Sequence, residues 1–224
     1  MAQRGKLILL EGLDRTGKTT QCERLVDILK ETMKIEKVKQ FKFPNRENEI
    51  GKLINGYLTN SSNSLSDQAI HLLFSANRWE SINEIKNLLN EGYYVILDRY
   101  VYSGVAYSLA KEVEGMDIDW CLNCDKGLIK PDLTIFLTND KTNKDREGFG
   151  DERYEKIAFQ LKVKEKFFEI FTKIDNYNQE TQHSSLAIVN VTNKTIEEVT
   201  DLIANASKNI LTNKQYDVNS FSYF

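Results

Sequence analysis

The residues with the most chemical content stand together near the N-terminus. Gly12-Leu13-Asp14-Arg15-Thr16-Gly17-Lys18-Thr19 satisfies the pattern G-x-x-x-x-G-K-[ST]. The spacing has a physical purpose. Glycines let successive backbone N–H groups curl around an anion, and the helix that follows turns its positive end toward the same point. In such a loop Lys18 reaches the β- and γ-phosphates of a nucleotide, and the Thr19 hydroxyl ligates Mg²⁺. Thr16 and Thr20 belong to the same turn and the first helical residues. Arg15, inside the loop, is placed to lean over a transferring phosphoryl group as an arginine finger supplied in cis.

A second group, Asp98-Arg99, closes the apolar run Tyr94 to Leu97. Ligands of open α/β sheets bind outside the carboxyl ends of the strands. A carboxylate there, beside a phosphate loop, is expected to hold Mg²⁺ through water. The 30 basic residues include only eight Arg, the side chain best shaped for bidentate phosphate contacts. Five of those eight are Arg15, Arg46, Arg78, Arg99 and Arg153, at strand ends, in the loop or at candidate ligand positions. Arg78 lies one helical turn beyond Phe74, so a ring and a guanidinium share one helix face, suited to stacking on a base and bonding its edge.

The elements that must carry these residues alternate along the chain. Lys6 to Leu10, Val38 to Phe43, Tyr94 to Leu97, Leu133 to Leu137 and Leu186 to Val191 read as five strands. Helical spacing recurs between them: Cys22, Leu25, Val26, Leu29 and Met33; then Ile50 to Leu58; then Ser66 to Leu89. Arg153 is expected to open a further helix. Thr195 and Glu198 form a capping box for a last one, with Ile196, Val199, Ile203, Ala206 and Ile210 as its stripe. Strands separated by helices imply crossovers and a parallel sheet covered on both faces. One domain spanning 1–224 is expected, with a lid at about 139–153 and a polar tail at about 213–224.

With 30 basic against 33 acidic side chains, the chain lacks the basic surplus that holds a protein to nucleic acid or anionic membrane by bulk charge. No apolar run approaches the ~18 residues of a membrane span. Three Cys and no export-type leader point to reduced thiols in the cytoplasm, with the nucleus as a second compartment. Cys121-x-x-Cys124 has no second pair, and only His71 and His183 accompany it, so a zinc site is not expected. The mixed-charge run Lys34 to Lys42 reads as a solvated connection. A GTPase would need N-K-x-D, yet Asn193-Lys194-Thr195 is followed by Ile196.

At this point the chain resembles eukaryotic thymidylate kinases, fungal ones in particular. The likeness rests on EGLDRTGKTTQ from Glu11, LSDQAIHLLFSANRWE from Leu65, DRYVYSGVAYS from Asp98 and GFGDERYE from Gly148. It implies a nucleoside-monophosphate-kinase α/β fold, transfer of the ATP γ-phosphoryl to dTMP with Mg²⁺, and a homodimer. By the same resemblance Phe74 stacks on thymine and Arg78 bonds its carbonyl edge, with Phe43 and Gly104 in the same acceptor pocket. Arg46 and Arg99 hold the acceptor phosphate, Asp14 approaches the sugar or phosphate, and Tyr107 crowds the ribose 2′ position. Tyr154 and Gln160 flank this site from the lid side. Gly12 and Gly17 cradle ATP, while Arg153 and Thr192-Asn193-Lys194 meet its adenine end. Arg15 marks the class whose catalytic Arg lies in the loop, and Lys144 and Arg146 leave room for a lid contribution.

Overall fold

The computed structural model describes residues 4–60, 64–140, 153–154, 156–178, 180, 185–212 and 220–224. Five strands form one sheet in the order β2-β3-β1-β4-β5, with every pairing parallel. They are β1 (Leu7–Gly12), β2 (Val38–Lys42), β3 (Tyr94–Asp98), β4 (Leu133–Thr138) and β5 (Leu186–Asn190). Among the described residues the helices are α1 (Lys18–Asp27), α2 (Glu49–Thr59), α3 (Asp67–Asn90), α4 (Val101–Leu109), α5 (Ile118–Asn123), α6 (Ile157–Asp175) and α7 (Ile196–Thr212). This is the parallel α/β architecture the strand spacing predicts.

Why three layers form is visible in the alternation of side chains. Leu7, Leu9, Val95, Leu97 and Phe136 pack on one face with Ile85 of α3, Val105 of α4 and Phe167 of α6. Ile8, Leu10, Ile96, Ile135 and Leu137 pack on the other with Leu25 of α1 and Val199 and Ile203 of α7. Successive strand residues point to opposite faces, so an unbroken apolar run must be covered twice. Both central runs, β1 and β4, are buried at every position. α3 begins where Ser66 accepts a hydrogen bond from Ala69 N (3.2 Å), a cap worth about 1 kcal/mol. A smaller cluster of Ile54, Tyr57, Leu58 and Ile70 joins α2 to α3.

Several boundaries differ from the sequence expectation, each for an identifiable reason. α4 has seven of its nine residues buried, so it has no polar face for a helical period to reveal. α1 gives way at Ile28 to a π turn, Ile28–Thr32, before Met33. α6 starts at Ile157 rather than Arg153, which lies in a turn whose N–H donates to Leu58 O (3.2 Å). The capping box of α7 is present, Thr195 N to Glu198 Oε2 (2.7 Å) and Glu198 N to Thr195 Oγ1 (3.1 Å). Ile196, however, is 50% exposed and lies off the packed stripe. Lys34 to Lys42 is a connection only as far as Lys37, because Val38–Lys42 forms β2, the strand expected from Val38 onward.

Most of the expected lid, including Lys144, Arg146, Gly148 and Gly150, lies outside the described residues, as do His183 and 213–219. The end of the tail is described, and it folds back. Tyr223 makes an antiparallel bridge with Ile129, and Phe224 N donates to Leu128 O (3.0 Å). The Phe224 ring stands 5.3 Å from Tyr102 and 6.1 Å from Tyr100. No described helix is long and apolar enough to cross a membrane.

Candidate active site

The carboxyl end of β1 runs directly into the phosphate loop. Gly17 caps α1 at φ 88°, a left-handed conformation that glycine adopts without a Cβ penalty. The loop is braced internally: Thr16 Oγ1 donates to Leu13 O (2.9 Å). Lys18 Nζ donates to the same carbonyl and lies 3.4 Å from Thr16 Oγ1. Burial, reinforced by the nearby Arg99, brings the Lys18 ammonium down to about pKa 7 against the pull of Asp14, Asp98 and Glu11. An anion laid in the loop is the group that would restore its charge. Arg15 (φ 61°) and Thr20 line the cavity mouth.

Register places the next component. Leu10 of β1 pairs with Asp98 of β3, and Asp98 pairs with Lys42 of β2. Asp98, 1% exposed, accepts from Thr19 Oγ1 at 2.6 Å. Lys42 Nζ sits 3.2 Å from that hydroxyl and 3.8 Å from Asp98 Oδ2. The hydroxyl and carboxylate are hard oxygen donors beside a phosphate cradle, a set suited to Mg²⁺. Among the described residues no cluster of three or more His, Cys, Asp or Glu forms a separate metal cage.

Arg99 follows Asp98 at φ 66°, which turns its side chain across the loop. Its Nη1 donates to Gly12 O (3.1 Å) and Ser103 Oγ (3.1 Å), and its Nη2 to Asp14. Gln160 of α6 completes the arrangement, donating to Asp14 Oδ2 (2.7 Å) and accepting from Asp14 N (3.0 Å). Burial pushes the Asp14 carboxyl upward, but Arg99 and Lys18 outweigh it and hold Asp14 below the usual carboxylate range. The Arg99 guanidinium also lies 5.3 Å from the centroid of Tyr107.

Beneath this network is Glu11, which the motif reading passes over. It is fully buried and accepts from Tyr100 N (2.9 Å), Ser103 N (3.0 Å) and the Ser103 hydroxyl. Burial raises its pKa, opposed by these bonds and by Arg99. Glu11 thus caps the start of α4 from β1 and sets where Arg99 begins. The available signal was an acid at the end of an otherwise apolar strand run.

One cavity of about 1250 Å³ joins this region to a second pocket, its wall running from Lys18 and Thr19 past Arg99 to Phe74 and Arg78. Phe43, 3% exposed, packs on Tyr100 with centroids 5.6 Å apart. Arg46, at the cavity rim, donates to Asn55 Oδ1 (2.9 Å). Phe74 is half-buried on the wall and packs on the α2–α3 cluster. Arg78 is buried and held by Asp125, Nε to Oδ1 at 3.1 Å and Nη2 to Oδ2 at 2.5 Å. Asp125, fully buried and 47 positions away in sequence, gave no local signal. A Cβ on Gly104 would stand 2.6 Å from Arg78 Nη1, so α4 must approach the guanidinium at a residue without a side chain.

Tyr107 and Tyr154 close the far wall with centroids 5.6 Å apart, and Gln160 Nε2 donates to Tyr154 O (3.0 Å). Arg153 goes elsewhere than the Thr192-Asn193-Lys194 turn. Its guanidinium lies 3.9 Å from the Tyr57 ring centroid and donates to Tyr57 O (3.1 Å) and Asn60 O (3.2 Å) at the end of α2. The turn follows β5 at the opposite sheet edge, where Thr192 Oγ1 accepts from Asp140 N (2.8 Å). Cys121 and Cys124 are free thiols, and His71 is buried, bonded to Ser108 Oγ (2.7 Å) and Cys121 O (2.9 Å).

The sheet order, the loop leaving its central strand and the cavity shared with an aromatic pocket define a P-loop phosphotransferase of the nucleoside-monophosphate-kinase type. The chain belongs to the thymidylate kinase family, whose model matches residues 10–203. It is 46% identical over 212 residues to the thymidylate kinase of Schizosaccharomyces pombe, covering 89% of this chain and 98% of that one. With the thymidylate kinase of Dictyostelium discoideum it shares 43% identity over 205 residues, 91% of this chain and 85% of that one. The solved thymidylate kinase of Candida albicans superposes with a TM-score of 0.83 at 47% identity, covering 100% of both chains.

Proposed function

We propose that this chain transfers the γ-phosphoryl group of ATP in line to the phosphate of dTMP, giving dTDP and ADP. The observation that carries this reading is the single cavity that joins Lys18 and Thr19 to Phe74 and Arg78. One end is built for phosphates and the other for a flat base. Bringing two anions together is the difficulty, so the protein's task is charge neutralisation and positioning. Lys18 and Arg15 offset charge on the transferring group, and Arg46 and Arg99 on the acceptor. Asp14, fixed by Arg99 and Gln160, orients the acceptor between sugar and phosphate. No protein base is required, because the acceptor phosphate is already ionised. Thr19 and Asp98, the latter through water, would hold Mg²⁺, which would supply charge neutralisation at the donor phosphates.

Phe74 stacks on thymine, Arg78 bonds its carbonyl edge, and Gly104 leaves room for that contact. Phe43 walls the same pocket, Tyr107 crowds the ribose 2′ position, and Tyr154 and Gln160 flank the site from the lid side. Gly12, Thr16, Gly17 and Thr20 surround the ATP phosphates, and Thr192, Asn193 and Lys194 take the adenine end. Arg153 reaches adenine only if it leaves the α2 carbonyls it now contacts. The working unit is a homodimer of a single domain spanning 1–224, acting in the cytoplasm with the nucleus as a second compartment. Leu72 and Trp79, exposed on one face of α3, support self-association, which light scattering of the purified chain would report.

The functional test is ADP release followed by a coupled assay across dTMP, dUMP, UMP, dCMP, AMP and thymidine. dTMP should be preferred, with dUMP a poorer substrate because a methyl is worth only ~1–3 kcal/mol to an apolar pocket. Nucleotide hydrolysis independent of any acceptor, with no turnover of dTMP, would overturn the reading.

A further inference from the structure

Lys111 lies just past α4, at the acceptor end of the cavity, with its side chain only 10% exposed. Its Nζ donates to Asp67 Oδ1 at 2.8 Å and lies 3.4 Å from the Tyr57 hydroxyl. The same ammonium is 5.5 Å from the centroid of Tyr57 and 5.3 Å from that of Tyr154. Those two rings stand 6.2 Å apart with their hydroxyls 3.3 Å apart. Tyr154 continues the arrangement inward, stacking on Phe159 (5.2 Å, 15°) and meeting Tyr107 edge-on at 5.6 Å. One cation therefore ties together α2, the start of α3, the end of α4 and the residues ahead of α6.

A cation at this end of the cavity has no phosphate to meet. Thymine and deoxyribose carry no charge, and the ammonium is already matched by Asp67. Its contact with the Tyr57 hydroxyl and its attraction for the Tyr154 ring, strengthened by partial removal from water, act on the rings themselves. We infer that Lys111 is a positioning residue: it seats Tyr154 against Tyr107 and so shapes the wall that selects the acceptor's sugar. This rests on the reading that the deoxyribose lies against Tyr107 and Tyr154. The charge matters here more than the volume, since an uncharged chain of equal length would fill the space yet leave Asp67 facing the rings without its cation.

The test uses the full chain and compares Lys111→Met, Lys111→Arg and Asp67→Asn with the parent. Initial rates are measured with dTMP, with its ribose counterpart and with varied ATP, alongside thermal unfolding. Lys111→Met should raise the KM for dTMP about tenfold and lower the deoxyribose-over-ribose preference by a similar factor, leaving the KM for ATP unchanged. Lys111→Arg should recover most of both. Asp67→Asn, which keeps the ammonium but loosens it, should shift both in the same direction by a few fold and serves if the Met variant does not fold. A lower melting temperature with parental KM and sugar preference would reduce Lys111 to a structural strut and overturn the inference. Tyr107→Ala separates the two layers. If it abolishes sugar preference while the Lys111 and Asp67 variants retain it, only the role of Lys111 falls. If every variant retains it, the sugar's placement falls as well.

Discussion

Arg15 is held at φ 61° in the phosphate loop, a conformation that costs a non-glycine residue about 1–2 kcal/mol. Glycine at this position would remove the guanidinium and the strain together. Arg15→Gly should therefore lower turnover by about a hundredfold or more, while the KM for dTMP changes little and the melting temperature does not fall. Steady-state kinetics beside a thermal melt would check this, and near-parental turnover would remove Arg15 from the chemistry. Lys18 allows a second measurement. With its pKa near 7 in the ligand-free protein, most of the ammonium is neutral by pH 8.5. Bound phosphate favours the charged form, so nucleotide binding must take up a proton there. Calorimetry in buffers of different ionisation enthalpy should show uptake approaching one proton between about pH 8 and 9, and affinity should weaken as pH rises through that window. Binding without proton uptake would show that Lys18 is already charged before the ligand arrives.

Between elements, a close contact at the acceptor pocket is that of α3 with α4. The Arg78 guanidinium cannot drift, because Asp125 holds two of its nitrogens. The space facing it exists because residue 104 has no Cβ. Gly104→Ala gains up to about 1 kcal/mol of helix propensity, but its Cβ, 2.6 Å from a guanidinium pinned by Asp125, costs about 1–3 kcal/mol of overpacking, so a thermal melt accompanies the kinetics. The expected result is a KM for dTMP raised roughly tenfold with the KM for ATP unchanged. Unchanged acceptor kinetics would show that Arg78 yields to a methyl despite Asp125. β1 and α4 are joined in the same way by Glu11, whose carboxylate serves two backbone N–H groups and one hydroxyl.

Across the whole molecule, the described end of the tail connects distant regions. Residues 220–224 lie along the segment at Ile129, Ser220 O accepts from Arg4 Nη2 (3.2 Å), and Phe224 packs on Tyr100, which in turn meets Phe43 of the acceptor pocket. Phe224 is only half-buried, so its truncation to Ala should cost about 1–2 kcal/mol, below the range for a full core site. For a domain of this size that corresponds to a fall of about 3–6 °C in melting temperature. A thermal melt of Phe224→Ala that matched the parent would show the strap to be energetically idle. The eight arginines of a chain with formal net charge -3 are also best understood at this scale. Arg15, Arg46, Arg78 and Arg99 all line the one cavity, whereas Arg153 is drawn onto α2.

What the sequence determined by itself was whatever is encoded in contiguous residues. The phosphate loop, the Asp98-Arg99 strand end, the α7 capping box and the two-sided burial of the strands depend on neighbours a few positions apart, and spacing alone exposes them. Only the tertiary structure decided which distant side chains answer them. Asp125 to Arg78, Gln160 to Asp14, Lys42 to Asp98 and Lys111 to the Tyr57–Tyr154 pair join residues brought together by the parallel crossovers. Short buried elements such as α4, and a returning strap without periodicity, left no mark in the pattern. The physical reason is the same for all of them: backbone geometry relates residues along the chain, whereas desolvation and ion pairing select partners across space.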